Sequence, residues 1–354
     1  MASDVIVMGA GLVGLSLARE LQRQQFQVRV LEARKAGGGA SWAAAGMLAG
    51  YQTQHPGLRP LAIAAARLYP SWTAELERET YLPSGYRRGG TLFVASPEHA
   101  APAVRLDGWE PVVPGALDGL EPELRAEGEI WRVPDDHSVD NRQLMTALIA
   151  SVRGRGIPLE EHTPVVAVEA NGAGWTVRTE VRNYTADMVV NTAGAWAASF
   201  STPVAMPVRP RKGQMLSLRS AARLRHVIAA PGVYLVPRND GRILVGATVE
   251  DVGFAPGVEA AAIAELRQRA ERVMPALHEA TVDQSWAGYR PCAADDLPIL
   301  GPTRCQGYWI ATAHYRDGIL LAPLTAKIIA RAMATGQMTR ALELTPFLPR
   351  RFEN

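Results

Sequence analysis

Three glycines at positions 9, 11 and 14 interrupt an apolar N-terminal stretch, and their flanking residues leave few folds open. Residues 4–8, DVIVM, are a β-branched run of the kind that forms a buried parallel strand. After Gly9-Ala-Gly11-Leu-Val-Gly14, residues Leu15, Leu17, Ala18 and Leu21 recur at helical spacing, and 27–31 reads as a second strand ending at Glu32. The pattern predicts a βαβ unit. In such a unit Gly9 makes the tight turn, Gly11 admits a pyrophosphate close to the backbone, and Gly14 lets helix and strand approach. The helix N-terminus then presents free N–H groups to phosphate. Glu32 lies 21 residues beyond Gly11, where an acid takes a ribose hydroxyl pair and favours an unphosphorylated ribose, that of FAD or NAD.

The residues just after Glu32 separate those two cofactors. An NAD enzyme usually continues its α/β alternation. This chain instead gives Ala33, Arg34 and then GGGASWAAAGMLAG at 37–50, with hardly a side chain to pack. Such a run lets backbone lie close along a flat, extended ligand, as a flavin dinucleotide is.

A length of 354 residues predicts two domains, or one large α/β body with an insertion. Apolar residues at 47% suit a generous core, and a net charge of +2 without basic runs gives no reason to expect a nucleic-acid partner. The two cysteines, Cys292 and Cys305, stand outside any CxxC, so no metal site and a reduced, cytoplasmic setting are expected. No apolar run approaches the ~20 residues of a spanning helix, so no integral membrane segment is expected. The apolar 5–18 stretch lacks the basic start of a secretory signal.

Further along, periodicity predicts helices over 60–80, 141–155, 258–273 and 322–334, the last with Pro323 in its first turn. Strands are expected at 91–95, 131–133, 165–168, 176–178, 188–191, 214–218, 233–237, 242–247 and 308–311, with an irregular stretch at 101–119 and a glycine-bearing loop at 314–320. A second glycine turn, Thr192-Ala193-Gly194-Ala-Trp196, comes after a strand halfway along and implies that the nucleotide domain is interrupted and resumed. The fold class expected is α/β: an FAD-binding Rossmann-like domain (1–80, 140–205 and 287–354) interleaved with a mixed-sheet α+β substrate domain (81–139 and 206–286).

GAGLVG with Glu32, ASWAAAGML, HTPVV (162–166), VVNTAGAWA (189–197), YLVPR (234–238), VGATVE (245–250), WAGYRP (286–291) and HYRDGILLAP (314–323) fall in one order along almost the whole chain. In that order the chain resembles the D-amino-acid oxidase superfamily of FAD-dependent amine oxidases, and within it the glycine oxidases of thiamine biosynthesis. The resemblance implies non-covalent FAD and a small amino acid, such as glycine, sarcosine or a small D-amino acid, oxidised with O2 to imine and H2O2. It also implies a homotetramer.

By the same resemblance, Leu12–Val13, Glu32–Ala33–Arg34, Ala40–Ser41 and Ala45–Gly46–Met47 hold FAD, Val165 touches its adenine side, and Ala193, Gly194 and Trp196 border it. The loop His314, Tyr315, Arg316, Asp317, Gly318, Ile319 and Leu320 runs along the flavin ring and offers donors to the edge that becomes anionic on reduction. Gly288 falls where some relatives attach flavin through cysteine, hence the non-covalent expectation. Cys292 is then a small buried residue or a modestly reactive thiol.

Arg290 is implied as the clamp on the substrate carboxylate. Taken alone, an arginine between Tyr289 and Pro291 reads as a surface or ion-paired residue, but a guanidinium fork matches a carboxylate in two parallel hydrogen bonds. Tyr234 adds a hydroxyl to the same carboxylate, and Arg316 offers its carbonyl to the amine. No side chain is expected to act as catalytic acid or base; Arg290 and Tyr234 orient the substrate. Ala49 and Val249 depart from the relatives at the pocket wall, and 50–60 is a candidate lid. A carrier-linked dehydrogenase of the same fold and a non-catalytic FAD scaffold are the rival readings.

Overall fold

The computed structural model describes residues 3–53, 55–95, 108–113, 115–126, 128–339 and 341–353. The chain opens as β1 (Ser3–Met8), α1 (Leu12–Arg23) and β2 (Val28–Leu31), and continues with α2 (Ala40–Ala43), β3 (Met47–Leu48) and the long α3 (Arg59–Thr80). An excursion carries β4 (Thr91–Val94), β5 (Glu110–Pro111), α4 (Leu117–Leu120), β6 (Ile130–Val133) and β7 (His137–Ser138). Then come α5 (Asn141–Gly154), β8 (Leu159–Glu160), β9 (Val165–Asn171), β10 (Gly174–Thr179) and β11 (Asn183–Asn191). A second excursion holds β12 (Val208–Arg219), β13 (Val227–Ala230), β14 (Val233–Pro237), β15 (Arg242–Gly246), α6 (Ala260–Val273) and β16 (Thr281–Ala293). The chain closes with β17 (Ile299–Pro302), β18 (Tyr308–Thr312) and α7 (Gly318–Thr335).

Two large sheets result. The first runs β17-β18-β11-β1-β2-β8, with β9 and β10 as a hairpin off β11. Its central strands β18, β11, β1, β2 and β8 are mutually parallel, and α1, α3, α5 and α7 pack together on one side around Leu15, Leu21, Leu61, Leu148 and Ile329. The second sheet runs β16-β12-β15-β14-β13-β4-β6-β5, with α6 against β12, β14 and β15. β3 and β7 pair between them.

β16 crosses the boundary expected at 286/287. It pairs with β12 from Thr281 through to Ala293, so Arg290 stands on the second sheet and the chain returns to the first only afterwards. The reason is register: twelve consecutive residues of β12, from Val208 to Arg219, find partners on β16, and Pro291 sits opposite Pro210 with neither able to donate a ladder hydrogen bond. Part of the irregular stretch expected at 101–119 lies outside the described residues.

α7 also begins earlier than its sequence suggests. It starts at Gly318, which absorbs the expected loop residues 318–320 and puts Pro323 inside the helix rather than in its first turn. An interior proline leaves the carbonyl four residues back without a donor. Here that carbonyl, of Ile319, accepts a hydrogen bond from the buried Tyr69 hydroxyl of α3. By length and composition α7 could cross a membrane, but 67% of it is buried in the fold, as a core helix is.

Candidate cofactor and substrate site

A cavity of about 1080 Å³ lies between the two sheets. One end is built by the βαβ unit. Gly9 has φ +108°, and a Cβ there would come within 2.7 Å of the Thr192 carbonyl, so the turn closes only on glycine. Gly11 caps α1 with no side-chain bond, leaving the helix N-terminus facing the cavity; Ser41 Oγ takes the Leu12 N–H at 2.9 Å. Glu32 accepts from Ala10 N at 2.8 Å and Arg34 N at 2.9 Å, one bond on each carboxylate oxygen. Each oxygen keeps a lone pair, which could take a ribose hydroxyl. Arg34 lies over the Trp196 ring at 4.3 Å, and Phe254 stacks on that ring at 5.1 Å.

From there the side-chain-poor stretch Gly37–Met47 runs along the cavity. Gly288 faces it across the second sheet, where a Cβ would overlap that of Ala43. No side chain, cysteine included, has room at 288. Cys292 is buried, its Sγ 3.0 Å from Asp296, and burial, with Asp296 adding, pushes the thiol up to about 12. Of the two readings of Cys292, its burial favours the small buried residue.

At the other end stand Arg290 and Tyr234. Their rows are joined through register: Met215 on β12 pairs with Trp286 on β16 and with Gly246 on β15, and Gly246 pairs with Tyr234 on β14. Alternation along β16 puts 286, 288 and 290 on one face; Gly288 and Arg290 line the cavity, and Trp286 packs against Trp42. Arg290 Nη1 donates to the carbonyls of Thr248 (3.1 Å) and Lys212 (3.4 Å), and no carboxylate of the described residues forms a salt bridge with it. Tyr234 is raised above the ordinary phenol range by burial, which outweighs the opposing charge of Arg290, so its hydroxyl stays a donor.

The HYRDG turn closes this end. Ala313 and Tyr315 take left-handed φ values of 58° and 48°. His314 is buried, bonded to Thr325 at 3.1 Å, and lowered by burial to about 4, so the ring is neutral. Asp317 is raised by burial to about 6 against the pull of Arg316. The N-terminus of α7, with no side-chain cap, faces the cavity here through Gly318 and Ile319.

The expected cofactor and substrate residues line this one cavity, with two exceptions. Gly14 is buried beneath it, where a Cβ would meet Thr192 Oγ1 at 2.6 Å, so it serves helix–strand packing. Leu320 points into the core because α7 has already begun. Ala49 and Val249 are on the wall, and so are Gln52 and Thr53 of the candidate lid; Tyr51 N is held by the buried Asp136 at 2.8 Å. Sequence reasoning missed Gly213 and Gly246, over which Arg290 and Tyr234 lie. Glycines inside strands were the available signal.

A glycine turn at a helix N-terminus facing the cavity, an acid at the next strand end and a side-chain-poor segment, 37–47, along the wall fit FAD. Together with two sheets enclosing the channel, they define a dinucleotide-dependent oxidoreductase fold. The chain belongs to the DAO family, FAD dependent oxidoreductase, whose model matches residues 4–332. It is 33% identical to the glycine oxidase of Geobacillus kaustophilus over 97% of this chain and 96% of that one. The crystal structure of glycine oxidase from that organism superposes with a TM-score of 0.90, at 29% identity and 98% coverage of both chains. The bifunctional protein ThiO/ThiG of Nostoc sp. is 36% identical over 93% of this chain but only 52% of its own length, so the chain spans about half of such relatives.

Proposed function

We propose that this protein is an FAD-dependent oxidase of a small amino acid: glycine, sarcosine or a small D-amino acid. The observation that carries the reading is Arg290, a guanidinium in the cavity wall beside a protonated Tyr234 and without a carboxylate partner among the described residues. A substrate carboxylate completes it, through two parallel hydrogen bonds from the fork and one from the phenol.

Bound FAD supplies the two-electron acceptor, and O2 is the terminal oxidant, giving H2O2. FAD is held non-covalently by the turn at Gly9–Val13, Glu32 and the 37–47 segment. With the carboxylate fixed, the Cα–H is presented in one orientation, and effective molarity is the main contributor to rate. The amine must be neutral for its lone pair to assist hydride departure, and the Arg316 carbonyl receives its N–H. His314 is tied to Thr325 and held below the ordinary imidazole range by burial, which makes it a poor proton acceptor. The imine leaves to hydrolyse to a 2-oxo acid and ammonia (methylamine when the substrate is sarcosine), or, from glycine, to feed thiamine thiazole synthesis. With Cys292 and Cys305 both free, we place the protein in the cytoplasm.

An anaerobic titration with glycine, sarcosine, D-alanine and D-proline tests this. Flavin bleaching by one of them, then peroxide on admitting air, is the expected result, and Arg290→Ala should lower kcat/KM by about 30-fold or more, as loss of a charge-paired contact costs ~2–5 kcal/mol. Bleaching that persists in air replaces the oxidase with a carrier-linked dehydrogenase. No bleaching by any of them overturns the reading.

A further inference from the structure

The 41–45 segment has few side chains with which to hold itself, yet four of its carbonyls are taken by side chains from elsewhere. Asn141 Nδ2, at the start of α5, donates to the carbonyls of Ser41 and Trp42, both at 2.8 Å. Trp286 Nε1 on β16 donates to Ala43 O at 2.9 Å. Arg238, just past β14, donates from Nη2 to Ala45 O at 2.8 Å and to Asn141 Oδ1 at 3.0 Å. All three donors are buried.

Two of these donors share a strand with the substrate residues. Trp286 and Arg290 are four apart on β16; Tyr234 and Arg238 are four apart along β14 and its continuation. Even spacing keeps each pair on one face. One end of each strand faces the substrate, and the other grips the bare segment.

We propose that Asn141, Trp286 and Arg238 are positioning residues for the cofactor, holding 41–45 by its carbonyls and thereby fixing the distance between the cofactor and the Arg290–Tyr234 clamp. The physical need is plain: 41–45 carries one large side chain, Trp42, and the end of the four-residue α2 leaves its carbonyls without backbone donors. Outside donors restrict it without placing bulk in the channel. This rests on the reading that the segment holds FAD.

The test titrates apoprotein with FAD and records the visible flavin spectrum and the glycine or sarcosine KM. Trp286→Phe removes the N–H and keeps a ring against Trp42; Asn141→Leu removes both donors at similar volume. Each should raise the FAD Kd about tenfold or more, with the larger effect in Asn141→Leu, because it leaves two buried carbonyls unpaired rather than one. Trp286→Phe should also raise KM and alter the flavin band, while the apoprotein melts within a few degrees of wild type. If Asn141→Leu does not fold, Trp286→Phe decides alone. FAD affinity within twofold of wild type and an unchanged spectrum overturn the proposal. Wild-type apoprotein that takes up no FAD overturns the cofactor reading beneath it, and the proposal with it.

Discussion

The guanidinium of Arg290 lies directly over Gly213 of the neighbouring strand, where a single methyl would come within 2.6 Å of Cζ. Arginine and glycine here form one unit: the guanidinium takes its pose because β12 offers no side chain beneath it. Gly213→Ala should therefore displace the fork without touching its charge. The expected result is a rise in substrate KM of about 10-fold or more, since displacing a charge-assisted contact costs ~1.5–3 kcal/mol, with FAD affinity unchanged. A KM within twofold of wild type would mean that Arg290 does not meet substrate in this pose.

Tyr234 rests against Gly246 in the same way. Tyr234→Phe keeps the ring and deletes the hydroxyl, so it should cost ~1.5–3 kcal/mol in kcat/KM, the value of a hydrogen bond to a charged group. Because burial raises the phenol above its ordinary range, the wild-type pH–rate profile should show no inflection from this group below pH ~10. Steady-state kinetics of both proteins across pH checks both statements.

Tyr69 meets the Ile319 carbonyl that Pro323 leaves free. Tyr69→Phe strands a buried acceptor and should lower stability by ~1–3 kcal/mol, read from denaturant midpoints at constant m. Tyr69→Phe combined with Pro323→Ala should recover part of that loss, since the alanine N–H can supply the missing donor.

Asp136 is buried, holds the Tyr51 N–H, and is raised by burial to about 7 from 3.8. A carboxyl raised in the folded state favours folding less as pH climbs: the unfolded chain ionises from about pH 4, the folded one only near pH 7. The penalty grows across that window and is complete above it. Asp136→Asn should then stabilise the protein at pH 8 by ~1–4 kcal/mol, with the gain shrinking toward pH 4. Melting curves of both proteins at pH 5, 6.5 and 8 give the slope; a gain independent of pH would assign the effect elsewhere.

The nucleotide end was legible in the chain because it is local. Strand, glycine turn, helix, strand and Glu32 fall within 32 residues, and each has a steric or dipolar reason to be the residue it is. The motifs around Tyr234, Arg290 and His314 were legible through resemblance, and the cavity brings those residues together. Sequence spacing alone offered no reason for Tyr234 and Arg290 to meet: they stand on strands separated by β12 and β15, and only the Met215–Gly246 register joins them.

The features that tertiary structure alone decided share one physical cause. Pro323 marked a helix start by its local signature, but a hydroxyl from α3, 250 positions before the Ile319 carbonyl it serves, supplied the missing donor and let the helix run through. Strand β16 stayed on the second sheet because β12 paired with it from end to end. The carbonyls of 41–45 found Asn141, Arg238 and Trp286 across separations of 99 to 243 residues. A backbone carbonyl carries no mark in the sequence of which donor will reach it. Sequence determines where the backbone turns and which faces are apolar; the folded chain determines which distant side chain satisfies each buried polar group.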